Sequence, residues 1–248
     1  MGVEQSTGAL GHWHLRHPGH TIRGMLKRIA PPRAEELISA AAGMPLSDPG
    51  VKYPAWYLHR WHFLPEGYLS RRSAAGYDFL IRRLYNQGLE SQVARTVVSR
   101  LKRLSPSSLV EIGCGPGRLL HAAASARIAQ QRVGVDLSPY LLERAQRRVG
   151  SEARLVHADG LALPSEDAAF DVSLASHYVG HLPHTMRAAA VQELVRVVRP
   201  GGHIVLVDHR WHRWPGHAGL RLRESISHNL GLIIVRVFER TELAAAPA

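Results

Sequence analysis

The chain has 248 residues, of which 45% are apolar, and this length and composition suit a folded protein with one substantial domain and an appendage. Its formal net charge of +11 would suit nucleic acid, an anionic membrane surface or an anionic substrate, or would simply form a solvated arginine-rich surface. No apolar run reaches the ~18 residues of a membrane-spanning helix, and no signal peptide is evident. The single cysteine, Cys114, excludes internal disulfides and cysteine-rich metal sites, so we expect a cytoplasmic location.

Residues 1–72 are predicted to form an N-terminal arm followed by a helical and aromatic cap. Apolar residues at helical spacing predict short helices over 21–29 and 34–42, the first packed on the main domain or lying on a membrane surface. Four histidines within residues 1–20 are too irregularly spaced to place metal ligands on one helical face. Residues 44–68 combine proline with aromatic rings, which would line an apolar pocket, stack nucleic-acid bases or pack as a buried surface.

Residues 73–248 are predicted to form a second domain with an α/β fold. Two helices, over 73–86 and 89–104, precede a regular alternation of strands and helices. Alternation at this pitch indicates βαβ units and therefore a doubly wound, mostly parallel sheet. The predicted strands are 109–112, 133–135, 154–157, 170–175, 203–207 and 232–238, and the predicted later helices are 139–149, 186–198 and 220–229.

The stretch Val110–Gly117 is predicted to be a buried strand that runs into a glycine-rich turn and then a helix. Gly113, Gly115 and Gly117 let the backbone turn sharply and approach a ligand closely, because no Cβ stands in the way. A dinucleotide-binding turn would need its third glycine where Arg118 stands. The turn therefore indicates a nucleotide-sized site, but with a spacing that is not the dinucleotide fingerprint.

Acidic residues stand at the ends of three successive predicted strands. Glu111, beside the glycine turn, would repel a pyrophosphate but not an amino group next to a sulfonium. Asp136 ends the second strand, where a carboxylate can accept hydrogen bonds from both ribose hydroxyls of an adenosine, as it also does in NAD enzymes. Asp159 ends the third strand and would face an adenine amino group. Because a doubly wound sheet places successive strand ends along one crevice, the three residues predict a nucleoside-binding site.

Five segments, taken in order, resemble the ubiquinone/menaquinone-biosynthesis type of class I S-adenosylmethionine (SAM)-dependent methyltransferase. They are Glu-Ile-Gly-Cys-Gly-Pro-Gly, Val-Asp-Leu-Ser, Ala-Asp-Gly-Leu-Ala-Leu-Pro, Phe-Asp-Val-Ser-Leu-Ala-Ser-His and Arg-Pro-Gly-Gly-His-Ile, and the resemblance covers about residues 74–240. It implies a Rossmann-like fold, SAM as the cofactor and an enzyme that transfers a methyl group.

The resemblance also implies roles for individual residues. The methionine part of SAM would contact Glu111 and the glycine turn, the ribose Asp136, and the adenine Asp159. Tyr77, followed by Asp78, matches a pair on a helix that closes over the cofactor. The expected cofactor-binding residues are Glu111, Gly113, Cys114, Gly115, Gly117, Asp136, Leu137, Asp159, Gly160, Leu161 and Ser176.

Histidines cluster at or just past the later strand ends, at His177, His181 and His209. An oxygen nucleophile that must lose a proton needs a base, and His177 is the first candidate. His181 and Tyr77 are the other expected catalytic residues, and the alternative for His177 is simple packing on the cofactor. His177, His181 and His184 also have the spacing of a metal cluster, but the family has no metal here, so none is expected.

The end of the chain departs from the family pattern. The family ends in a hairpin whose last strand is antiparallel, whereas residues 242–248 are too short and too alanine-rich to form such a strand. The open edge of the sheet would then be covered by another subunit, as in a homodimer, or by the N-terminal arm.

The leading hypothesis is SAM-dependent O- or C-methylation of a small organic acceptor, aromatic or lipid-like. Charge and aromatic residues suggest a nucleic-acid methyltransferase as the alternative. However, Ala175-Ser176-His177-Tyr178 stands where amino-group methylators of bases carry an Asn/Asp-Pro-Pro-aromatic box. The missing last strand also keeps open a non-catalytic binding protein with the SAM fold.

Overall fold

The computed structural model describes residues 34–58, 64, 66–80, 89–212 and 214–242. The predicted helix over 21–29, the histidines of residues 1–20 and the second half of the predicted helix over 73–86 lie outside the described residues. None of the helices in the described ranges is long and apolar enough to cross a membrane.

Helices and strands alternate through most of the described chain. The helices are α1 (Ala34–Ala42), α2 (Arg71–Leu80), α3 (Leu89–Leu104), α4 (Arg118–Ser125), α5 (Pro139–Val149) and α6 (Arg187–Arg196). The strands are β1 (Ser108–Ile112), β2 (Gln131–Asp136), β3 (Arg154–His157), β4 (Phe170–Ser176), β5 (Val198–His209), β6 (Leu220–His228) and β7 (Ile233–Arg240). Single 3₁₀ turns cover Ala55–Leu58, Val179–His181 and His184–Met186.

The seven strands form one sheet in the order β3-β2-β1-β4-β5-β7-β6. Strands β1 to β5 are mutually parallel, whereas β7 runs antiparallel to both of its neighbours, β5 and β6. The strand order reverses between β1 and β4, and ligands bind at such a switch point, outside the carboxyl ends of the strands. The predicted doubly wound, mostly parallel sheet is therefore confirmed.

The predicted helix over 220–229 is wrong, because this segment is strand β6. Leucine, arginine and glutamate give it helical propensity, but pairing with β7 along its length overrides that weak preference. Ile226 packs against the sheet core, while most of the outer residues are exposed, as in an edge strand. Asn229, Leu230 and Gly231 turn the chain with positive φ of 51°, 53° and 83°.

The terminal hairpin that the sequence analysis found missing is therefore present. It is formed by β6 and β7, which end before residue 242, and it does not need the alanine-rich tail. The prediction of a missing strand is wrong because a helix over 220–229 leaves only one strand for the end of the sheet. With the hairpin in place, the reason for keeping a non-catalytic binding protein as an alternative disappears.

Apolar side chains cover both faces of the sheet. On one face, α3 and α4 bury Val97, Leu101 and Ala123 against the strands. On the other face, α6 buries Val191 and Leu194. These helices show the spacing of three and four residues that an amphipathic helix needs to present one apolar stripe.

A third apolar cluster joins the segment before α3 to the N-terminal end of α5. Leu37 and Ala41 of α1, together with Leu69, pack against Tyr140 and Leu141. Helix α5 begins at this place because Ser138 caps it, accepting a hydrogen bond from Leu141 N at 3.2 Å, with Pro139 in the first turn. The end of β2 and the loop that follows it are thereby held beneath the aromatic segment, which carries Tyr53, Trp56, Tyr57 and Tyr68.

We expect the substitution Gly134→Ala to destabilise the fold. A Cβ on this glycine of β2 would overlap Leu120 Cδ1 and lie 3.0 Å from both Cys114 Sγ and Leu155 Cδ2. Overpacking of this kind lowers the free energy of unfolding by about 1–3 kcal/mol. Urea denaturation followed by circular dichroism measures the change.

Gly216→Ala is the matched control, since nothing lies within 4 Å of its added Cβ. We expect it to change the free energy of unfolding by less than about 0.5 kcal/mol. Equal effects of the two substitutions would contradict the described packing between β2 and α4.

Candidate functional site

A pocket of about 750 Å³, counting its open mouth, lies at the carboxyl ends of the parallel strands. One wall comes from the ends of β1, β2 and β3, a second from the turn after β4, and a third from the aromatic segment and α2. It is lined by Trp56, Tyr57, Tyr68, Tyr77, Gly113, Gly115, Val135, Asp136, Leu137, Leu141, Asp159, Gly160, Ser176, His177, Tyr178, His181 and Leu182.

The three glycines of the turn do different things. Gly115, with φ of +53°, has nothing within 4 Å of an added Cβ, so its backbone borders open space in the pocket. At Gly113, φ is +69° and a Cβ would lie 2.8 Å from the Tyr178 ring. Gly117 does not line the pocket; its φ of +74° and a Cβ position 2.9 Å from Ala145 show that it lets α4 approach α5.

Asp136 is a buried carboxylate at the pocket wall. Its Oδ2 accepts a hydrogen bond from Gly115 N at 2.8 Å, and its Oδ1 accepts one from Ser138 N at 2.8 Å. Burial raises the pKa of Asp136 to about 6, although these backbone donors work against the rise. Each oxygen keeps a second lone pair, so a ligand with two neighbouring hydroxyl groups can still donate to this side chain.

The Tyr178 ring contacts the turns that follow β1 and β3. A Cβ on Gly160 would lie 2.6 Å from the Tyr178 hydroxyl, so the ring rests against both Gly113 and Gly160. That hydroxyl is buried and has no hydrogen-bond partner among the described residues. Beside it, Asp159 Oδ1 accepts a hydrogen bond from Leu161 N at 2.9 Å. Tyr178 is not among the expected site residues, although its position just after Ser176 and His177 is a signal for one.

Glu111 and Cys114, two of the expected cofactor-binding residues, do not line the pocket. Glu111 is 2% exposed, and its Oε2 accepts a hydrogen bond from Leu120 N in the first turn of α4 at 3.0 Å. Burial raises the pKa of Glu111 to about 8, so this group is mostly neutral at pH 7. Cys114 is buried in a cluster with Leu120 and Leu142. The carboxylate that argued against a pyrophosphate therefore lies behind the glycine turn.

Most of the other expected residues come together in the pocket. Leu137 and Ser176 line it, as do the expected catalytic residues Tyr77, His177 and His181. Leu161 does not line it; its side chain packs against the main core. The aromatic segment, for which several uses were open, contributes Trp56, Tyr57 and Tyr68 to the lining, which supports its use as a pocket wall.

An ionic cluster around Asp78 holds α2 against the rest of the site. Its carboxylate lies 2.9 Å from Arg118 Nη2, 2.8 Å from Arg144 Nη2 and 3.1 Å from Arg148 Nη2. Burial of Asp78 works to raise its pKa, but the hydrogen bonds and charges of the arginines outweigh it and leave the pKa at about 2. Because Tyr77 is the preceding residue, this cluster keeps its ring at the pocket wall.

The histidines near the turn after β4 differ in whether they line the pocket. His177, with an unusual φ of +53°, and His181 line the pocket, whereas His209 does not. The His177 and His209 rings are 4.9 Å apart between centroids. Among the described residues, no three histidine, cysteine, aspartate or glutamate side chains are arranged to hold a metal ion. His177, His181 and His184, whose spacing in the sequence resembles a metal cluster, do not form such a group among the described residues.

Known methyltransferases resemble this chain in sequence. Residues 110–206 match a family described as the methyltransferase domain. A demethylmenaquinone methyltransferase of Thermus thermophilus is 32% identical over 139 residues, which are 54% of this chain and 61% of that protein. A 27-O-demethylrifamycin SV methyltransferase of Amycolatopsis mediterranei is 33% identical over 145 residues, 55% of this chain and 50% of that protein. This chain thus spans about half of each relative.

The fold also matches solved structures. A structure described as a putative SAM-dependent methyltransferase of Methanococcus maripaludis has a TM-score of 0.56 at 15% identity, covering 71% of this chain and 96% of that one. A magnesium protoporphyrin IX methyltransferase of Synechocystis has a TM-score of 0.54 at 18% identity, covering 67% and 91%. The sheet order therefore matches the fold of these two methyltransferase structures. The match of residues 110–206 to the methyltransferase-domain family confirms the resemblance seen in the motifs.

We expect Asp78→Asn to destabilise the protein by about 2 kcal/mol. Breaking a fully buried ion pair costs roughly 3–5 kcal/mol, and the effect is smaller here because the three arginine side chains are 21–30% exposed. Asp167→Asn is the control, since its side chain is 77% exposed and pairs with Arg196 at the surface. Urea denaturation at pH 7 measures both, and equal losses would contradict a buried anchor.

The stability of the wild type should also fall in acid because of Asp78. The pKa of about 2 in the folded state lies below the value of about 3.9 for an unfolded aspartate, so the ionised group favours folding. This contribution is complete above about pH 4 and is lost as the pH falls toward 2. We therefore expect a smaller acid-induced loss of unfolding free energy in Asp78→Asn than in the wild type.

Proposed function

We propose that this chain transfers a methyl group from SAM to a small organic acceptor, aromatic or lipid-like, by O- or C-methylation. The observation that carries the proposal is one pocket whose lining combines carboxylates with aromatic rings and imidazoles. Asp136 and Asp159 lie there beside the glycine turn, and the same pocket is lined by Trp56, Tyr57, Tyr68, His177 and His181. The relatives named for demethylmenaquinone and 27-O-demethylrifamycin SV support an acceptor of this kind.

The residues around Asp136 and Asp159 fit SAM. The free lone pairs of Asp136 suit the two ribose hydroxyls, and the buried Tyr178 hydroxyl, which has no partner among the described residues, offers a donor or acceptor near Asp159 and Gly160. Gly115 leaves room for a ligand at its backbone. We assign the ribose to Asp136 with Leu137, the adenine to Asp159, Gly160 and the Leu161 backbone, and the methionine part to Gly113 and Gly115 with Ser176.

Three expected cofactor-binding residues act through the glycine turn in this proposal. Glu111 holds the first turn of α4 through Leu120 N, and Cys114 packs beneath the turn. Gly117 provides the close approach between α4 and α5. These residues shape the place where the methionine part would lie without lining it.

We propose that the described part of residues 1–72 is a cap over the pocket. Trp56, Tyr57 and Tyr68 contribute aromatic surface to the lining, and α1 anchors this segment on α5. The rings exclude water from the reacting atoms and offer stacking surface to an aromatic acceptor. Tyr77 adds a further ring from α2, and the Asp78 cluster keeps it in place.

Bound in this pocket, SAM would supply an electrophilic methyl group on a sulfonium. The chain's own contribution is alignment, exclusion of water and, where the acceptor is a hydroxyl, removal of a proton. Burial lowers the pKa of His177 below its usual range, so this imidazole is neutral at pH 7 and able to accept a proton. Burial raises the pKa of Tyr77 to about 12, so its hydroxyl stays protonated and positions groups by donating hydrogen bonds.

Binding of S-adenosylhomocysteine should become tighter as the pH rises through about 6. The ionised carboxylate of Asp136 accepts the ribose hydroxyls better than the protonated form, and its pKa in the ligand-free protein is about 6. We expect up to about tenfold weaker binding per pH unit below that value. Isothermal titration calorimetry from pH 5 to 8 measures the dissociation constant.

Asp136→Asn should weaken this binding at pH 7 by roughly 10- to 100-fold, because hydrogen bonds to a charged group contribute about 1.5–3 kcal/mol. It should also remove the pH dependence near 6. Glu152→Gln is the control, as this side chain is 62% exposed and distant from the pocket lining. Unchanged affinity in Asp136→Asn would sink the assignment of the ribose.

The acceptor class is tested by screening phenols, quinone precursors and short RNAs for a mass increase of one methyl group in the presence of SAM.

With a phenolic acceptor, His177→Gln should lower kcat at pH 7 by roughly 10²- to 10⁴-fold. The loss should shrink at high pH, where the phenol has already lost its proton. His184→Gln is the control, because this exposed histidine does not line the pocket.

Two outcomes would contradict this part of the proposal. Methylation of RNA without methylation of any small molecule would favour the nucleic-acid alternative. An equal kcat in the wild type and in His177→Gln at every pH would show that His177 takes no proton.

A further inference from the structure

A buried carboxylate lies directly beneath the histidine end of the pocket. Asp208, near the end of β5, is 0% exposed. Its Oδ1 accepts hydrogen bonds from His212 Nδ1 at 2.5 Å and from His209 N at 2.8 Å, and its Oδ2 accepts one from Gly180 N at 2.6 Å. Neither Asp208 nor His212 lines the pocket.

The turn that carries the pocket histidines rests on this pair. A Cβ on Gly180 would overlap His212 Nδ1 and both carboxylate oxygens of Asp208, so the backbone is in direct contact with them. His181 follows Gly180 immediately, and His177 begins the segment, with its N–H bonded to Val207 O at 2.8 Å. A displacement of Asp208 or His212 would therefore move the two histidines that face the pocket.

Histidines are the ion-pair partners of Asp208 in the described part of the chain: His212 at 2.5 Å and His177 at 4.0 Å from Nδ1. The other charged groups that act on it from neighbouring elements are Arg187 of α6 and Arg236 of β7. Arg187 donates instead to the carbonyl oxygens of Leu182 and Gly180.

The Arg236 guanidinium lies 5.9 Å from the centre of the Trp214 ring. From the turn and the end of β5, Asp208 is faced by His177, His181, His209 and His212. Burial works to raise the pKa of Asp208, but the hydrogen bond from His212 and the nearby imidazoles outweigh it and leave the pKa at about 2. Asp208 is therefore an anion at pH 7.

A buried anion favours protonation of a neighbouring imidazole, because the resulting pair is neutral. Burial lowers the pKa of His177, Asp208 opposes this fall, and His212 adds to it. His177 is also the histidine of this group that combines a pocket wall with a 4.0 Å approach to Asp208. Proton uptake from the pocket is thus favoured at His177.

We propose that Asp208 and His212 are positioning residues that hold His177 for proton uptake, and that the acceptor reacts through an acidic hydroxyl, of phenol or enol type. This inference rests on the proposed methyl transfer and narrows its acceptor. As the acceptor oxygen bonds to the methyl carbon, its proton passes to His177. The electron pair of the broken carbon–sulfur bond stays on sulfur, giving a neutral thioether. The imidazolium, stabilised by Asp208, later returns the proton to water.

The first test uses the ligand-free protein and histidine NMR titration, with His177→Gln to assign the His177 resonance. Asp208→Asn should lower the pKa of His177 by about one unit or more, because an opposite charge at this distance shifts a pKa by roughly 1–3 units. Asp167→Asn, at an exposed aspartate, is the matched control and should leave the value unchanged. A pKa of His177 that is equal in the wild type and Asp208→Asn would overturn the inference.

A second variant gives the opposite sign and serves if Asp208→Asn does not fold. His212→Ala keeps the Asp208 charge but removes the hydrogen bond that partly neutralises it, so the pKa of His177 should rise. No shift, or a fall, would overturn the role of the pair. A merely structural contact would not produce opposite shifts in the two variants.

The third test is the pH profile of methylation of a phenolic acceptor. Asp208→Asn should lower kcat at pH 7 by at least tenfold, leave the dissociation constant of S-adenosylhomocysteine within threefold, and recover with a nitrophenol that is already ionised. Equal losses for the ionised and neutral phenols would overturn the inference. Failure of the wild type to bind S-adenosylhomocysteine would instead refute the proposed function, while the NMR comparison still decides the role of Asp208.

Discussion

The carboxylate of Asp136 connects the parts of this structure on which the site depends. It accepts hydrogen bonds from Gly115 in the turn after β1 and from Ser138 at the start of α5. One side chain at the end of β2 therefore ties together a strand, a glycine turn and a helix cap. Burial raises the pKa of this carboxyl to about 6, and the backbone donors partly offset the cost of burying it.

Four buried acids surround the pocket, and their partners give them different tasks. Asp78 is matched by three arginines and works as an anchor, whereas Glu111 has one backbone donor and is mostly neutral at pH 7. Asp136 has backbone donors alone and remains available to a ligand. Asp208 has histidine partners, so its charge can be balanced by a proton taken from the pocket. The chemistry of the site thus follows from what each carboxylate contacts.

Much of the fold could be predicted from local patterns. Helices such as Ala34–Ala42 and Leu89–Leu104 follow their apolar spacing, and the parallel strands follow the alternation of apolar runs with helices. The helix predicted over 220–229 failed because an exposed edge strand carries leucine, arginine and glutamate, which also suit a helix. Only pairing with β7 distinguishes a strand from a helix over these residues, and that pairing exists only once the sheet has formed.

The sequence by itself determined the class of site: glycines at a strand end, with acids at the next two strand ends, can be read from residue type and spacing, because parallel strands end along one edge. Only the tertiary structure decided which side chains reach that edge. Glu111 points to α4 because it alternates along β1 with Val110 and Ile112, which face the opposite side of the sheet. Tyr178 and Asp208 acquire their roles from packing between β4, β5 and the Gly180 turn, a relation between segments that no local pattern contains.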